Sequence, residues 1–213
     1  MQRALVSRRP EWATATLWAL TLILLAAFTA IAHDVYVHHA LAFDRSMLTA
    51  LHHAVTPALT AVAVALTDIG DPTVIAPATA VVIAALALAR RWRWATLVAL
   101  EVGGAAALDL ATKTFFARPR PTLYPHLVHE TGFSFPSGHA TGDLAFFLAL
   151  QLLAWHALPP RWRWLGVLGI LLALACGISR PYLQIHYPSD ILAGWALGAG
   201  WVLLMHLLFY RSD

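Results

Sequence analysis

A chain of 213 residues that is 60% hydrophobic and 12% charged does not have the make-up of an ordinary soluble enzyme, in which about 25% of residues are charged. Its length suits one domain, residues 1–213, and its net charge of +3 is explained by where the charges sit, with no nucleic-acid partner implied. The single cysteine, Cys176, lies in an apolar run, which leaves no intrachain disulfide and no cysteine-based metal site; it reads as a small buried apolar residue.

Apolar stretches long enough to cross a bilayer, which takes about 20 residues, occur near 13–32, 72–89, 94–116, 139–157, 162–179 and 189–209. Basic residues precede the first stretch, and Ala30-Ile31-Ala32 resembles a cleavage site. The apolar run from Trp12 is nevertheless longer than a usual signal-peptide core and favours a retained span. Residues 46–69 differ. Leu48, Leu51, Val55, Leu59, Val62, Leu66 and Ile69 recur at three- and four-residue steps with His52, His53, Thr56 and Thr60 between them. That pattern predicts a one-sided helix, broken near Pro57, lying on the membrane or against the bundle. The fold class expected is all-α: an integral membrane bundle of six transmembrane helices with an extra amphipathic outer segment.

The arginines set the expected orientation. With six spans and a cytoplasmic N-terminus, the cytoplasmic segments hold Arg3, Arg8, Arg9, Arg90, Arg91, Arg93, Arg161, Arg163 and Arg211. Seven spans would move Arg90, Arg91 and Arg93 outside, against the positive-inside rule. Trp92, Trp94, Trp162 and Trp164 alternate with arginines in the two inner turns, as an interfacial belt does. No separate domain, linker or repeat is evident.

Three clusters remain at the outer end of this arrangement: Lys113 with Arg120-Pro121, then Pro136-Ser137-Gly138-His139, then Ser179-Arg180 with His186 and Asp190. The first two flank the loop 117–138; the third falls on an expected short loop, 180–188. A phosphate monoester is a dianion whose transferred group spreads charge over its oxygens, so catalysis rests on positioning and preorganised positive charge. Lys113, Arg120 and Arg180 supply that charge, arginine through a fork that holds two oxygens at once. A lone arginine here would read as a snorkelling interfacial charge; three in this spacing do not. Ser137 is a natural N-cap, and the free backbone N–H groups behind it, with Gly138 allowing close approach, form an anion site. Pro188 is expected to open the last span, with Asp190 in its first turn. There Asp190 can hold one ring nitrogen of His186 and leave the other as a nucleophile. Two histidines and a carboxylate could also bind a metal, but three cations around the same spot would repel it. No metal and no cofactor is expected.

The spacing Lys-x6-Arg-Pro, Pro-Ser-Gly-His, Ser-Arg-x5-His-x3-Asp resembles the three-part signature of the type-2 phosphatidic-acid phosphatase superfamily, in which bacterial acid phosphatases and vanadium haloperoxidases also fall. The motifs span residues 113–190. The resemblance implies that His186 forms a phospho-histidine, that His139 protonates the leaving oxygen and then activates water, and that Asp190 orients His186. It implies a bacterial enzyme of the cytoplasmic (inner) membrane with its site facing the periplasm or exterior. The substrate expected is a lipid phosphate or pyrophosphate: undecaprenyl pyrophosphate, phosphatidylglycerol phosphate, phosphatidic acid or a similar polyprenyl phosphate. A phosphotransferase of the same fold would carry the same motifs. A non-catalytic lipid-binding or transport protein would have lost the catalytic triplet, which is present. A haloperoxidase would be a soluble domain.

Other polar residues within spans carry less. Glu101 and Asp109 lie eight apart, expected on one face of span three, with Asp109 placed to pair with Lys113 four residues on. Asp143, one turn after His139, either tunes it or is simple helix polarity. His126 and His129 read as solvated loop residues, and His33, His38, His39, His52 and His53 show no metal spacing. His156 and His206 fall near the inner interface.

Overall fold

A computed structural model describes residues 11–39 and 41–209. Arg3, Arg8, Arg9 and Arg211, part of the charge pattern above, lie outside the described residues. Every regular element among the described residues is helical. α1 runs Glu11–His38, with an acidic residue in its first turn and a basic one in its last, both favourable to the helix dipole. α2 (Ala42–His53) and α3 (Pro57–Ile69) cover the segment expected to be amphipathic. The break falls where expected: extended Thr56 accepts a hydrogen bond from Leu59 N at 3.3 Å, and Pro57 starts the new helix. The break also resets the apolar stripe. Leu48, Leu51 and Val55 pack inward, whereas Leu59, Val62 and Ile69 face outward and Ala63 and Thr67 turn in. Of the two placements expected for this segment, the bundle is the one seen, with Ala63 against Tyr182, Leu183 and Ile185.

Asp71 caps α4 (Pro72–Leu88), accepting from Thr73 N at 2.8 Å. α5 (Trp92–Val98), a π turn (Ala99–Gly103) and α6 (Gly104–Phe116) form one continuous rod, closed by Ala117 in the left-handed region at φ 43°. α7 (Gly138–Ala157), a 3-10 turn (Pro160–Trp162), α8 (Trp164–Tyr182) and α9 (Pro188–Phe209) complete the order. Among the described residues, five segments are long and apolar enough to cross a membrane: α1, α3 with α4, α5 through α6, the 3-10 turn with α8, and α9. α7, with 20 residues, has the length but carries His139, Asp143, Gln151 and His156.

α9 is the centre of the bundle, 61% of its apolar window being buried against 11% for α1. Water does not drive helices together in lipid, so close backbone approach has to. Small residues supply it. A Cβ on Gly194 would lie 2.9 Å from Ser137 O and from the Ala140 methyl, so this glycine sets how closely α9 meets the start of α7. Phe135 and Ala193, packed with Ala32 and Val35 of α1, close the same region from the other side.

Candidate active site

The three motif clusters, far apart in sequence, meet at one end of the bundle. Lys113 sits in the last turn of α6 and donates from Nζ to Pro136 O at 2.6 Å, fixing the turn that precedes α7. Its ammonium is also 3.8 Å from Asp109, the pairing expected from the four-residue spacing. Ser137 caps α7 through Ala140 N at 3.5 Å, while its own N–H donates to Asp190 O at 3.1 Å. The second and third motifs are thereby joined through backbone. Gly138 and His139 form the first turn of α7, where unpaired N–H groups and the positive end of the dipole lie.

His186 stands just before α9, buried at 2% exposure. Its Nδ1 is 3.3 Å from Asp190 and its Nε2 is 3.0 Å from Arg120 Nη1. A guanidinium only donates, so Nε2 turns its lone pair toward Arg120 and the proton resides on Nδ1, toward the carboxylate. Burial pushes the His186 imidazole down to about 4; Asp190 pulls the other way without prevailing. The ring is therefore neutral and nucleophilic at physiological pH.

Arg180 lies inside α8, where a loop was expected. Pro181 removes a single helical N–H so near the end that the turn survives: Leu183 N still reaches Ser179 O at 2.9 Å, and the chain leaves the helix at Gln184, φ 64°. Held on a helix, Arg180 hydrogen-bonds Thr67 of α3 and approaches His139 Nε2 at 3.4 Å.

Four residues at this end had no assignment from the sequence. Arg118, two before the motif arginine, is buried and ion-paired to Asp190 and, at 2.9 Å, to Asp44 of α2; it also donates to Ser189 Oγ at 2.9 Å and His39 O at 3.0 Å. Ser134 donates to the Asp190 carboxylate, which Tyr187 N reaches at 2.9 Å. The Asp190 carboxylate is thus fastened by three groups besides His186, to which it turns one oxygen. The fourth is Glu130, which makes an ion pair with Arg180 and lies 3.6 Å from Arg120. Burial raises its carboxyl, but the hydrogen bond and charge of Arg180, with Arg120 behind it, outweigh this and hold it below the usual carboxylate range. A carboxylate is thus held between two arginines that also reach His186 and His139.

The remaining polar residues divide. Glu101 and Asp109 take different partners, Asp109 pairing with Lys113 and Glu101 reaching α9. Glu101 meets buried His206 at 3.2 Å; His206 therefore belongs to the interior, while His156, whose ring centroid lies 5.8 Å from it, is exposed. His126 is bound to its own loop at Pro121 O, 2.7 Å away, and His52 stacks on Tyr124 at 3.8 Å.

Arg120, Arg180 and Lys113, gathered near a carboxylate-paired histidine, make a cationic cluster at one end of the bundle, of the kind that suits a phosphate group. The comparisons agree. The PAP2 superfamily matches residues 92–213. Phosphatidylglycerophosphatase B of Bacillus subtilis (strain 168) is 31% identical over 67% of this chain and 71% of its own length. An undecaprenyl-diphosphatase of Sulfolobus acidocaldarius is 34% identical over 44% of this chain, and a lipid A 1-phosphatase of Rhizobium johnstonii 42% over 41%. The chain spans 37% and 32% of the length of those two. A crystal structure of a transmembrane PAP2-type phosphatidylglycerolphosphate phosphatase from Bacillus subtilis superposes with a TM-score of 0.74 at 27% identity, over 87% of this chain and 93% of the other. The chain belongs to the PAP2 superfamily and is a membrane lipid phosphatase of the PAP2 type.

Proposed function

We propose that the enzyme hydrolyses the phosphate mono- or pyrophosphate ester of a membrane lipid through a phospho-histidine on His186. The observation that carries this reading is the Nε2 lone pair of His186 directed at Arg120, beside a carboxylate already held by Arg120 and Arg180. An incoming phosphoryl dianion replaces the Glu130 monoanion between those arginines. Lys113 and the first N–H groups of α7, around Ser137 and Gly138, hold its other oxygens. Nε2 attacks phosphorus as the P–O bond to the lipid breaks, and His139 delivers a proton to the departing oxygen. His139 then takes a proton from water, the water oxygen attacks phosphorus, the P–N bond breaks and inorganic phosphate leaves. Asp190, fixed by Arg118, Ser134 and Tyr187 N, keeps the Nδ1 proton in place throughout.

The substrates we assign are undecaprenyl pyrophosphate, phosphatidylglycerol phosphate or phosphatidic acid, the class that the names of the relatives suggest. Counting α7 as a span gives six crossings in a bacterial inner membrane, with the site toward the periplasm or exterior. Support comes from Arg90, Arg91, Arg93, Arg161 and Arg163, which all fall at the turns of the opposite end.

Purified protein in detergent should release phosphate from members of this panel, should continue to do so in EDTA, and should be inhibited by vanadate. Activity lost to chelation and restored by a divalent metal would refute the mechanism. A cysteine at Thr122, with Cys176 replaced, should react with an impermeant thiol reagent in intact cells, and one at Ala157 should not. The reverse pattern would overturn the orientation.

A further inference from the structure

Next to the phosphate site lies a cavity of about 350 Å³, at the lower end of the usual size of ligand pockets, roughly 300–1,000 Å³. It runs between α4, the α5–α6 rod and the start of α7. Its walls include Gly138, one residue before His139, and Gly142 and Asp143, one turn beyond it. His186, Arg120 and Glu130 do not line it. The cavity therefore belongs to the His139 side of the site, where the departing alcohol lies once His139 is the proton donor. Ala76, Gly103 and Ala106 in its wall are themselves exposed, so it opens to the lipid-facing surface.

Most of this lining is apolar, which suits an alkyl chain, but two carboxylates interrupt it. Asp143 is 1% exposed and has the Cys176 thiol, a weak donor, beside it; among the described residues its Oδ2 has no hydrogen bond. Asp109 likewise has a buried oxygen without a partner. A buried carboxylate oxygen left unpaired is costly, and it becomes affordable when a ligand supplies the missing donor.

We propose that this cavity receives the leaving alcohol and that Asp143, assisted by Asp109, accepts a hydrogen bond from a hydroxyl on it. The enzyme then favours lipids whose phosphate is carried by a hydroxyl-bearing, glycerol-type alcohol over those whose phosphate sits on diacylglycerol or a bare polyprenol. This rests on the lipid-phosphatase reading above and names its specificity determinant. A hydroxyl fits better than an ammonium. Lys113, 3.8 Å from Asp109, and Arg180, beside His139, already supply cations that would repel another.

The test compares kcat/KM for phosphatidylglycerol phosphate and phosphatidic acid with identical acyl chains, using the full chain in detergent. Wild type should prefer the first by about 10- to 100-fold, the factor that corresponds to leaving one buried acceptor unpaired at about 1–3 kcal/mol. Asp143→Leu should bring the ratio toward 1, and Asp143→Asn, which keeps an acceptor, should retain most of the preference. Gly142→Val fills the cavity from a position where a Cβ meets nothing within 4 Å, and should raise KM for the hydroxylated lipid more than for phosphatidic acid. An analogue with an ammonium in place of the hydroxyl should be turned over no better than phosphatidic acid. A wild-type ratio near 1, or Asp143→Leu and Gly142→Val slowing both lipids by the same factor, would overturn the proposal while leaving the lipid-phosphatase reading intact. Failure of wild type to hydrolyse any lipid phosphate would overturn both.

Discussion

Arg118 and Arg120 stand two residues apart in the same Arg-Pro-Arg-Pro run, and they solve opposite problems. Arg118 meets two carboxylates, a hydroxyl and a carbonyl, all from the protein itself, and is 3% exposed. No ligand could improve on that set. Arg120 spends most of its donors on the carbonyls of Thr131, Gly132 and Ile185, and the face that remains reaches His186 and Glu130. Both of those partners are exchangeable. A buried cation with closed partners builds the site; one with replaceable partners is the site. The Glu101–His206 pair, within the bundle and away from the motifs, is of the closed kind.

The largest effect should come from opening the closed cluster. Arg118→Met leaves Asp44 and Asp190 buried without their common cation, a loss of about 3–5 kcal/mol for a broken buried pair. Thermal unfolding in detergent should show a strongly destabilised or unrecoverable protein. A variant that is stable but inactive would mean that Arg118 belongs with the ligand-exchanging group instead.

Next in size are the histidines, whose loss should spare the fold. His186→Ala should abolish turnover and any trapped phospho-enzyme. His139→Ala keeps the nucleophile, so an activated aryl phosphate, whose leaving group needs little protonation, should recover part of the first step. Rapid mixing is required, because losing His139 also slows water attack on the intermediate. Rescue of His186→Ala by the aryl phosphate would exchange the two roles. The same assignment fixes a pH dependence. His186 must be unprotonated to attack, and burial holds its folded value at about 4 rather than the usual 6.5. The acid limb of kcat/KM should therefore fall as pH drops through about 4, with full activity from His186 above it. A limb near 6.5 would mean that the ring is solvated in the working enzyme.

Arg120→Lys should come third. The charge remains, but one ammonium cannot serve the loop carbonyls and a phosphoryl oxygen together, so kcat/KM should drop about 10- to 100-fold with a smaller loss in stability than Arg118→Met. Equal losses of stability in the two variants would dissolve the contrast between them.

What the sequence disclosed follows the same division. Lys113, Arg120, Ser137, Gly138, His139, Arg180, His186 and Asp190 were legible because each stands at a fixed offset from another, and the structure gathers them at one end of the bundle. The all-helical membrane fold was legible from apolar run lengths alone. Arg118, Ser134, Asp44 and Glu130 were not, because the partners that tie them into the site lie 50 to 145 residues away in sequence, and no local period records such a pairing. Only the adjacency of Arg118 to the motif offered a hint. Arg180 was misplaced to a loop because proline usually ends a helix, whereas here it sits where one missing N–H costs little.

Glu130 gives the smallest and most diagnostic effect. Its side chain is 29% exposed, and both of its ion pairs are to arginines that the substrate also needs. Every anion that enters must compete with it. Glu130→Gln removes the charge and keeps the shape, so inorganic phosphate and vanadate should inhibit more strongly, by up to about tenfold, a partly exposed ion pair being worth about 1 kcal/mol or a little more. The effect should weaken as pH falls and the wild-type carboxyl itself takes a proton. Because that carboxyl is held below the usual range, the difference between wild type and variant should persist at pH 5 and vanish only in stronger acid. Weaker inhibition by phosphate in Glu130→Gln would mean that the carboxylate positions the arginines for the anion, and that Arg120 and Arg180 depend on it as Asp190 depends on Arg118.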